Sequence, residues 1–576
     1  MTDTRNITFG LDHTDRVRDS KTLNVQAGGE WRLFGSKIDF SANFSPSKGF
    51  ETRTNLNPTV PGTGFRFDRA VTLGDPAGAT FTQLSGPDVT DPANLVLSSL
   101  GFTKVRKRDR IAGGQFNLRR NFDTPVPAYL KTGFRFRSQD PGTISRPTTY
   151  NYIGPGGAEL ARFVDTSYDY QPHALRGTMP DVKFLDFAKV VGEWETKPEY
   201  FTINRVTTLR NELTGDRNAS ESVYAGYIMG HLQLGRLGAL GGLRVEETHV
   251  EGTGTFQLVS PEERARRAAW VGTVTEAENL RRTQAEYGNG VTTKASYRDV
   301  FPSVHFRYEV LRGLLGRASY SSGIGRPNFG TIIPNNSVND QTMVVTANNT
   351  SLRPQASDNF DATLEYYFEP AGLLSASVFL KEIKQYIFTN DSGVVPTGTD
   401  NGFNGDYAGY RLVTQANGGF ARVRGIEVSY QQQFTHLPGF WRGFGIYANH
   451  TWLEAVGNYG STVTTGRIPG FIPQTGNIGV SYIARGLSVR LQGNFRGDSI
   501  GNINANPALQ QYDYSRKKID INFSYQKTPS LTFFLDIRNI FGDTIGGHPY
   551  IYIPERPRGS DRDDPEIKIG VSGQFR

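Results

Sequence analysis

The sequence predicts an all-β protein: a transmembrane antiparallel barrel with short turns at one end and long connections at the other. Three observations lead there. Segment after segment alternates apolar and polar residues with a period of two. These segments are long for strands. The chain is also poor in apolar mass yet rich in aromatics and glycine.

Apolar residues are 37% of the chain, against about 45–50% in ordinary globular domains. A solid core for 576 residues is therefore poorly supplied. Aromatics reach 12%, with 37 Phe and 26 Tyr against 4 Met, and Gly numbers 65. Such a mix suits a protein that is apolar on one thin surface. Cys is absent, which removes disulfides and thiolate metal sites. The net charge of +7 is spread along the chain without a basic run or an aromatic–basic module, which argues against a nucleic-acid partner. No stretch approaches the about 18 apolar residues of a membrane helix. The opening residues, MTDTRNITFG, lack the basic flank and apolar run of a secretory signal. Membrane barrels escape the helix criterion, because they cross with strands.

Taken in order, KIDFSANF (37–44) places Ile38, Phe40, Ala42 and Phe44 on one face. LKTGFRFR (130–137) sets Leu130, Phe134 and Phe136 against Lys131, Arg135 and Arg137. FDATLEYYF (360–368) opposes Phe360, Ala362, Leu364 and Tyr366 to Asp361, Thr363 and Glu365. LSVRLQGNF (487–495), IDINFSYQ (519–526) and EIKIGVSGQFR (566–576) repeat the pattern. The expected strands run about 10–16 residues, where soluble strands average five or six and about 9–11 cross a bilayer.

Connections alternate too. Short ones fall at Gly35-Ser36, 121–125, 235–240, 311–314, 369–372, 484–486 and 527–530. Long ones are expected at 51–101, 138–218, 251–296, 325–354, 389–419, 456–471, 497–509 and 542–564. Soluble domains seldom carry several such loops, whereas outer-membrane barrels have tight periplasmic turns and long outer loops. The count is roughly 17 or 18 strands. Closing the sheet satisfies backbone hydrogen bonds in lipid. The apolar face then meets lipid, and Arg135, Glu365, Arg490 and Arg496 line a watery lumen. Trp31, Phe50, Trp452 and Tyr525 are either interfacial girdle residues or ordinary strand aromatics.

Several stretches resemble the barrel of TonB-dependent outer-membrane receptors, in particular the subgroup abundant in Caulobacter-, Sphingomonas- and Xanthomonas-type bacteria. They are NTSLRPQASDNFDATLEYYFEPAGLLSASVFLKEIKQYIF (349–388), ARVRGIEVSYQQQFTHLPGFWRGFGIYANHTWLEA (421–455) and IPGFIPQTGNIGVSYIARGLSVRLQGNFR (468–496). ASYSSGIGRPNF (318–329), LDIRNIFGD (535–543) and residues 222–252 add to the likeness. The resemblance implies a Gram-negative outer-membrane location and uptake of a scarce solute, such as a ferric siderophore or an oligosaccharide. It also implies lipid and the barrel-assembly machinery as partners, with no cofactor and no enzymatic activity. Phe575 corresponds to the terminal aromatic recognised during assembly, although Arg576 follows it. Family members begin with a signal peptide, a TonB box and a plug, and have about 22 strands. Here residues 1–576 read as one receptor-like barrel domain, N-terminally incomplete, with none of the three. A TonB complex is a partner only where a plug and TonB box precede the barrel. A truncated product is the simplest expectation; a plugless porin-like diffusion channel or a barrel completed by another polypeptide are the alternatives.

No catalytic set stands out. The eight His are scattered without ligand spacing, so no metal site is expected. Residues 261–287, rich in Ala, Glu and Arg, suggest a helix in an outer loop. Tyr150, Tyr152, Tyr168, Tyr170 and Trp194 in the 138–218 connection are candidates to stack on a sugar or aromatic solute, with loop packing as the alternative. Arg326, at an outer strand end, is a candidate to steer an anionic solute, or else a lumen-paired Arg.

Overall fold

The computed structural model describes residues 2–69, 79–122, 124–167, 182–458, 466–502, 510–542, 549–551 and 565–573. A 23-stranded antiparallel sheet dominates. Its first strands β1 (Thr2–Gly10), β2 (His13–Thr22) and β3 (Val25–Leu33) all pair with one edge of the very long β4 (Ser36–Arg69). β5 (Ala79–Ser85) caps the far end of β4, and β6 (Val96–Phe122) runs along its other edge. β7 (Ala128–Gln139) and β8 (Gly142–Tyr152) share the next position, one below the other. Helix α1 (Phe187–Thr196), β9 (Phe201–Ile203) and α2 (Arg205–Leu213) fill the following connection. Successive hairpins then give β10 (Asp216–Leu234), β11 (Leu237–Thr255), β12 (Gly290–Leu311) and β13 (Leu314–Gly325). Helices α3 (Pro261–Ala268) and α4 (Glu276–Tyr287) lie between β11 and β12, and α5 (Phe329–Ile332) follows β13.

β14 (Asn336–Asn339) and β15 (Val344–Ala347) leave the wall, which resumes with β16 (Gln355–Phe368) and β17 (Gly372–Lys384). β18 (Ile387–Val394) and β19 (Arg411–Asn417) join β14 and β15 in a separate four-stranded sheet. The wall continues through β20 (Phe420–Gln433), β21 (Phe444–Gly457), the bridge-like β22 (Gly466–Arg467), β23 (Gln474–Ala484) and β24 (Leu487–Arg496). β25 (Ser499–Asn502) and β26 (Gln511–Asp513) leave it, β27 (Arg516–Thr528) and β28 (Leu531–Arg538) re-enter, β29 (Pro549–Ile551) pairs with β26, and β30 (Glu566–Gly573) pairs with β28. Counting β1–β3 and β7–β8 as one position each, the described wall is seventeen strands across, in line with the strand count expected from the turns.

Alternation decides which face meets which solvent. Phe40, Phe44, Phe116, Phe134, Ile228, Leu364, Val378, Ile478, Leu491 and Ile569 project from one face of the wall and are exposed. A water-soluble surface does not carry a continuous apolar belt of this extent; hydrocarbon tails are its natural solvent. On the other face polar side chains form ladders. Asn117 donates to Asp39 at 2.6 Å, Tyr227 donates to Asn117 at 2.6 Å, and Asn494, Asn477 and Asn449 hand on bonds of 2.6 and 2.9 Å. Trp31 stacks on Phe40 with ring centroids 5.0 Å apart, close to the tight Phe34–Gly35 turn. Trp452 and Tyr525 are exposed on the apolar face as well. Among the described residues no helix is long and apolar enough to cross a membrane.

Two expectations need correction. Residues 51–69 of the expected 51–101 loop and 142–152 of the expected 138–218 loop are strand: β4 alone has 34 residues, or about 110 Å at about 3.3 Å per residue. That far exceeds a hydrocarbon layer of about 30 Å. Pairing continues outside the membrane because β1, β2 and β6 supply hydrogen-bond partners beyond the lipid. Residues 261–287 form two helices instead of one. Ser260 accepts from the Glu263 N–H, and Pro261 occupies the first turn. Thr275 caps α4 in the same manner, and Gly272, at φ 98°, turns the chain between them.

Above the belt, a second kind of core appears. Leu56, Val60, Leu95, Leu100, Leu160 and Val190 are all but fully buried where the connection carrying α1 folds onto the outer part of β4, β6 and β8.

Candidate functional site

The inner face of the wall and the outer loops above it make up the candidate site. Arg135 lies on β7 opposite in direction to exposed Phe134, and lines an inner hollow of about 150 Å³ with Ser41, Asn43, Gln115 and Arg137. Glu365 faces inward from β16, accepting from Arg317 at 3.0 Å and from the Tyr367 hydroxyl at 2.9 Å. Arg490 shares the inner face of β24 with Arg496, opposite to exposed Leu491. Arg496 donates to Ser499 at 3.3 Å and lies 3.9 Å from Asp513.

The densest constellation gathers around Arg326. The register sets Glu246 opposite Asp299 and Thr248 opposite Tyr297, with Glu221 one step further out on β10. Arg326, just past the end of β13, folds back over these strands. Its guanidinium donates to Glu246 at 2.6 Å and to fully buried Thr248 at 3.3 Å, and passes 3.8 Å from Glu221. Arg244 also holds Glu246, at 2.6 Å, and Arg137 reaches Glu221 at 3.6 Å. Two acids thus meet three arginines, with Asp299 beside Glu246 on the next strand. The Tyr297 hydroxyl, one Asp299 oxygen and the Arg326 Nε are buried without a hydrogen-bond partner among the described residues. Such orphan groups in a charged pocket leave hydrogen-bonding capacity unspent. Arg326 lies outside the strands; burial lowers its pKa, but the hydrogen bond to Glu246 and nearby acids outweigh this and hold it above the usual value. It is a paired arginine of the inner wall. Glu221, Glu246, Asp299 and Tyr297 escaped sequence reading because the adjacent Glu246 and Glu247 make the face ambiguous, and only register resolves it.

The aromatic candidates sit elsewhere. Tyr150 and Trp194 pack edge-on with centroids 5.6 Å apart, and Phe102 closes the triangle at 4.9 Å from Trp194. Tyr152 meets Phe201 at 5.1 Å and donates its hydroxyl to the Pro155 carbonyl at 2.9 Å. All three are packed against the outer core described above. Tyr168, Tyr170 and Phe575 lie outside the described residues.

Over the β10–β20 sector the outer loops form a cap. In α3 and α4, Glu263 is buried among Arg266, Arg267 and Arg281, and Glu278 binds Arg266, Arg281 and Arg282. Burial raises the pKa of both carboxyls, but the arginine hydrogen bonds outweigh it and the net shift is downward. Arg264 binds Asp406 at 2.7 Å, and Asn336 exchanges two bonds with the Gln257 backbone at 2.6 and 3.0 Å. Val345, Val395 and Phe403 form a small apolar core beneath.

Residues 43–540 match the family described as TonB dependent receptor-like, beta-barrel. No match is found among curated proteins. Among solved structures the chain is similar to the ferric-catecholate import receptor Fiu from E. coli K12, with 14% identity over 100% of this chain and 81% of that one, at a TM-score of 0.45. It is also similar to the ferric citrate transporter FecA, with 11% identity, 99% and 78% coverage and a TM-score of 0.49. The FrpB iron transporter from Neisseria meningitidis gives 10%, 97%, 73% and 0.47. The family match carries the assignment; likenesses of this size add nothing to it.

Proposed function

The chain belongs to the TonB-dependent receptor-like β-barrel family, whose members lie in the Gram-negative outer membrane, and from that premise we propose that it captures a scarce solute and conducts it inward. The solute class is a ferric siderophore or an oligosaccharide. One observation supports this reading above the others: the wall is apolar outside and polar inside, from the tight turns up to the looped cap. A solute settles first on the outer loops. Below them, Arg135, Glu365, Arg490 and Arg496 offer a mixed-charge inner surface that replaces lost hydration step by step. The Arg326 cluster sits at the junction between loops and wall, its charges paired within the inner face. Energised uptake requires a plug and TonB box joined to this barrel. Assembly uses Phe575 as the terminal aromatic.

Uptake of labelled solute into cells expressing the barrel joined to a plug and TonB box tests the reading, with the barrel alone expected to give no TonB-dependent uptake. Uptake that depends on TonB, and falls about tenfold in Arg326→Gln, is expected. A stable, large conductance in planar bilayers without saturable uptake would replace it with passive diffusion.

A further inference from the structure

The exterior charges just above the lipid belt obey a simple rule around most of the wall: each has a partner on the next strand. Arg298 binds Glu247 at 2.7 Å, Lys294 binds Glu251 at 3.2 Å, and Lys384 binds Asp358 at 3.1 Å. Arg422 binds Glu382 and Arg424 binds Glu454, both at 2.6 Å. All of these lie on the same face as exposed Val300, Phe360, Ile426 and Trp452.

The rule fails over β2, β4 and β6. There Lys21, Lys48, Arg106, Arg108 and Arg110 line a groove of about 620 Å³. They share the face of Phe44 and Phe116, because the β4–β6 register runs unbroken from Ser36 to Leu56. All five are exposed and none forms an ion pair with a described carboxylate; Arg108 donates only to the Asn218 side chain, at 3.3 Å. The sole acid lining the groove is Asp19. The next acid in the Arg106 row, Asp216, is already held by Arg146. Phe50, Ile144 and Leu23 supply apolar lining. The belt lies below and the outer core above, so the groove occupies the level of the outer leaflet's headgroups.

Five cations facing one acid repel one another unless an anion joins them. Their spread indicates its size. Arg106 and Arg110 stand about 13 Å apart along the strand, and the Lys21–Lys48–Arg108 row spans about 10 Å across three strands. One phosphate cannot reach them all. We propose that this groove binds a multiply phosphorylated lipid headgroup of the outer leaflet, with its acyl chains on the belt below.

The test uses the full chain in neutral detergent, offered a bis-phosphorylated glycolipid or phosphatidylcholine, with retained lipid read by native mass spectrometry. The glycolipid is expected to stay bound and phosphatidylcholine to wash away. Combining Lys48→Gln, Arg106→Gln and Arg108→Gln lowers retention about a hundredfold; Arg422→Gln with Arg424→Gln leaves it unchanged. Heat-dependent gel migration verifies folding of each variant. Should the triple variant fail to fold, Asp19→Asn gives the opposite reading, tighter retention. Equal retention by the triple variant, or no gain in Asp19→Asn, overturns the proposal. Displacement of the glycolipid by inorganic pyrophosphate at equal concentration overturns it too, in favour of a soluble anion.

Discussion

The two halves of β4 are written in the same alternating pattern but live in different solvents. In the lower half, Phe40 and Phe44 point outward and stay exposed, 36% and 48%, as lipid-facing residues must. In the upper half, Leu56 points to the same side and is 0% exposed, because a connection has folded over it. Period-two alternation therefore reports a two-faced sheet and is silent about what covers the apolar face. The same side chain rests on lipid at one height and on protein at another.

Truncation should separate the halves most sharply. Leu100→Ala removes packing from the outer core and is expected to cost about 2–5 kcal/mol there, seen in urea unfolding followed by Trp194 emission. Leu364→Ala on the belt should cost a fraction of that, since lipid fills the space left behind. A similar loss at both sites would erase the distinction. Charge gives the next effect, in the opposite sense. Leu364→Arg puts a cation in hydrocarbon at about 2–4 kcal/mol. Ser375→Arg, on the inner face opposite Glu365, should change stability hardly at all. Both are measured by unfolding from lipid vesicles. The smallest effect concerns the cap. Glu263 and Glu278 have lowered folded-state pKa values. The stability they confer is present above the ordinary carboxylate value and is lost as pH falls through the folded one. Glu263→Gln should raise proteolysis after Arg266 and Arg267 about tenfold near neutral pH, and acidification should do the same to the native chain. Insensitivity to both would mean that the cap is held by its apolar core alone.

The same comparison explains how much was legible in the sequence. Belt strands such as β7, β16, β24, β27 and β30 were readable because each residue's environment there depends only on its parity. Phe134, Leu364 and Leu491 could be assigned outward from five neighbours on either side. The upper half of β4 was misread as loop because Pro58 and Pro61 break the pattern and the partners that pair it, β1 and β6, are distant in sequence. Helix capping at Ser260 and Thr275 was local and therefore visible in principle; the Arg326 cluster was not, since it depends on β10, β11, β12 and the turn after β13 arriving at one place. Arg326 was noticed for its position, and its acidic partners only register can supply.

The cap described over β10–β20 has a mechanical consequence. Arg264–Asp406, Asn336–Gln257, Asn349 to the Gln415 carbonyl at 2.9 Å and Asn417 to the Arg353 carbonyl at 2.8 Å each tie segments from different connections. The parallel pairing of β15 with β19 adds a backbone seam between two of them. Three loops laced in this way share one fate: a tug on any of them is borne by all.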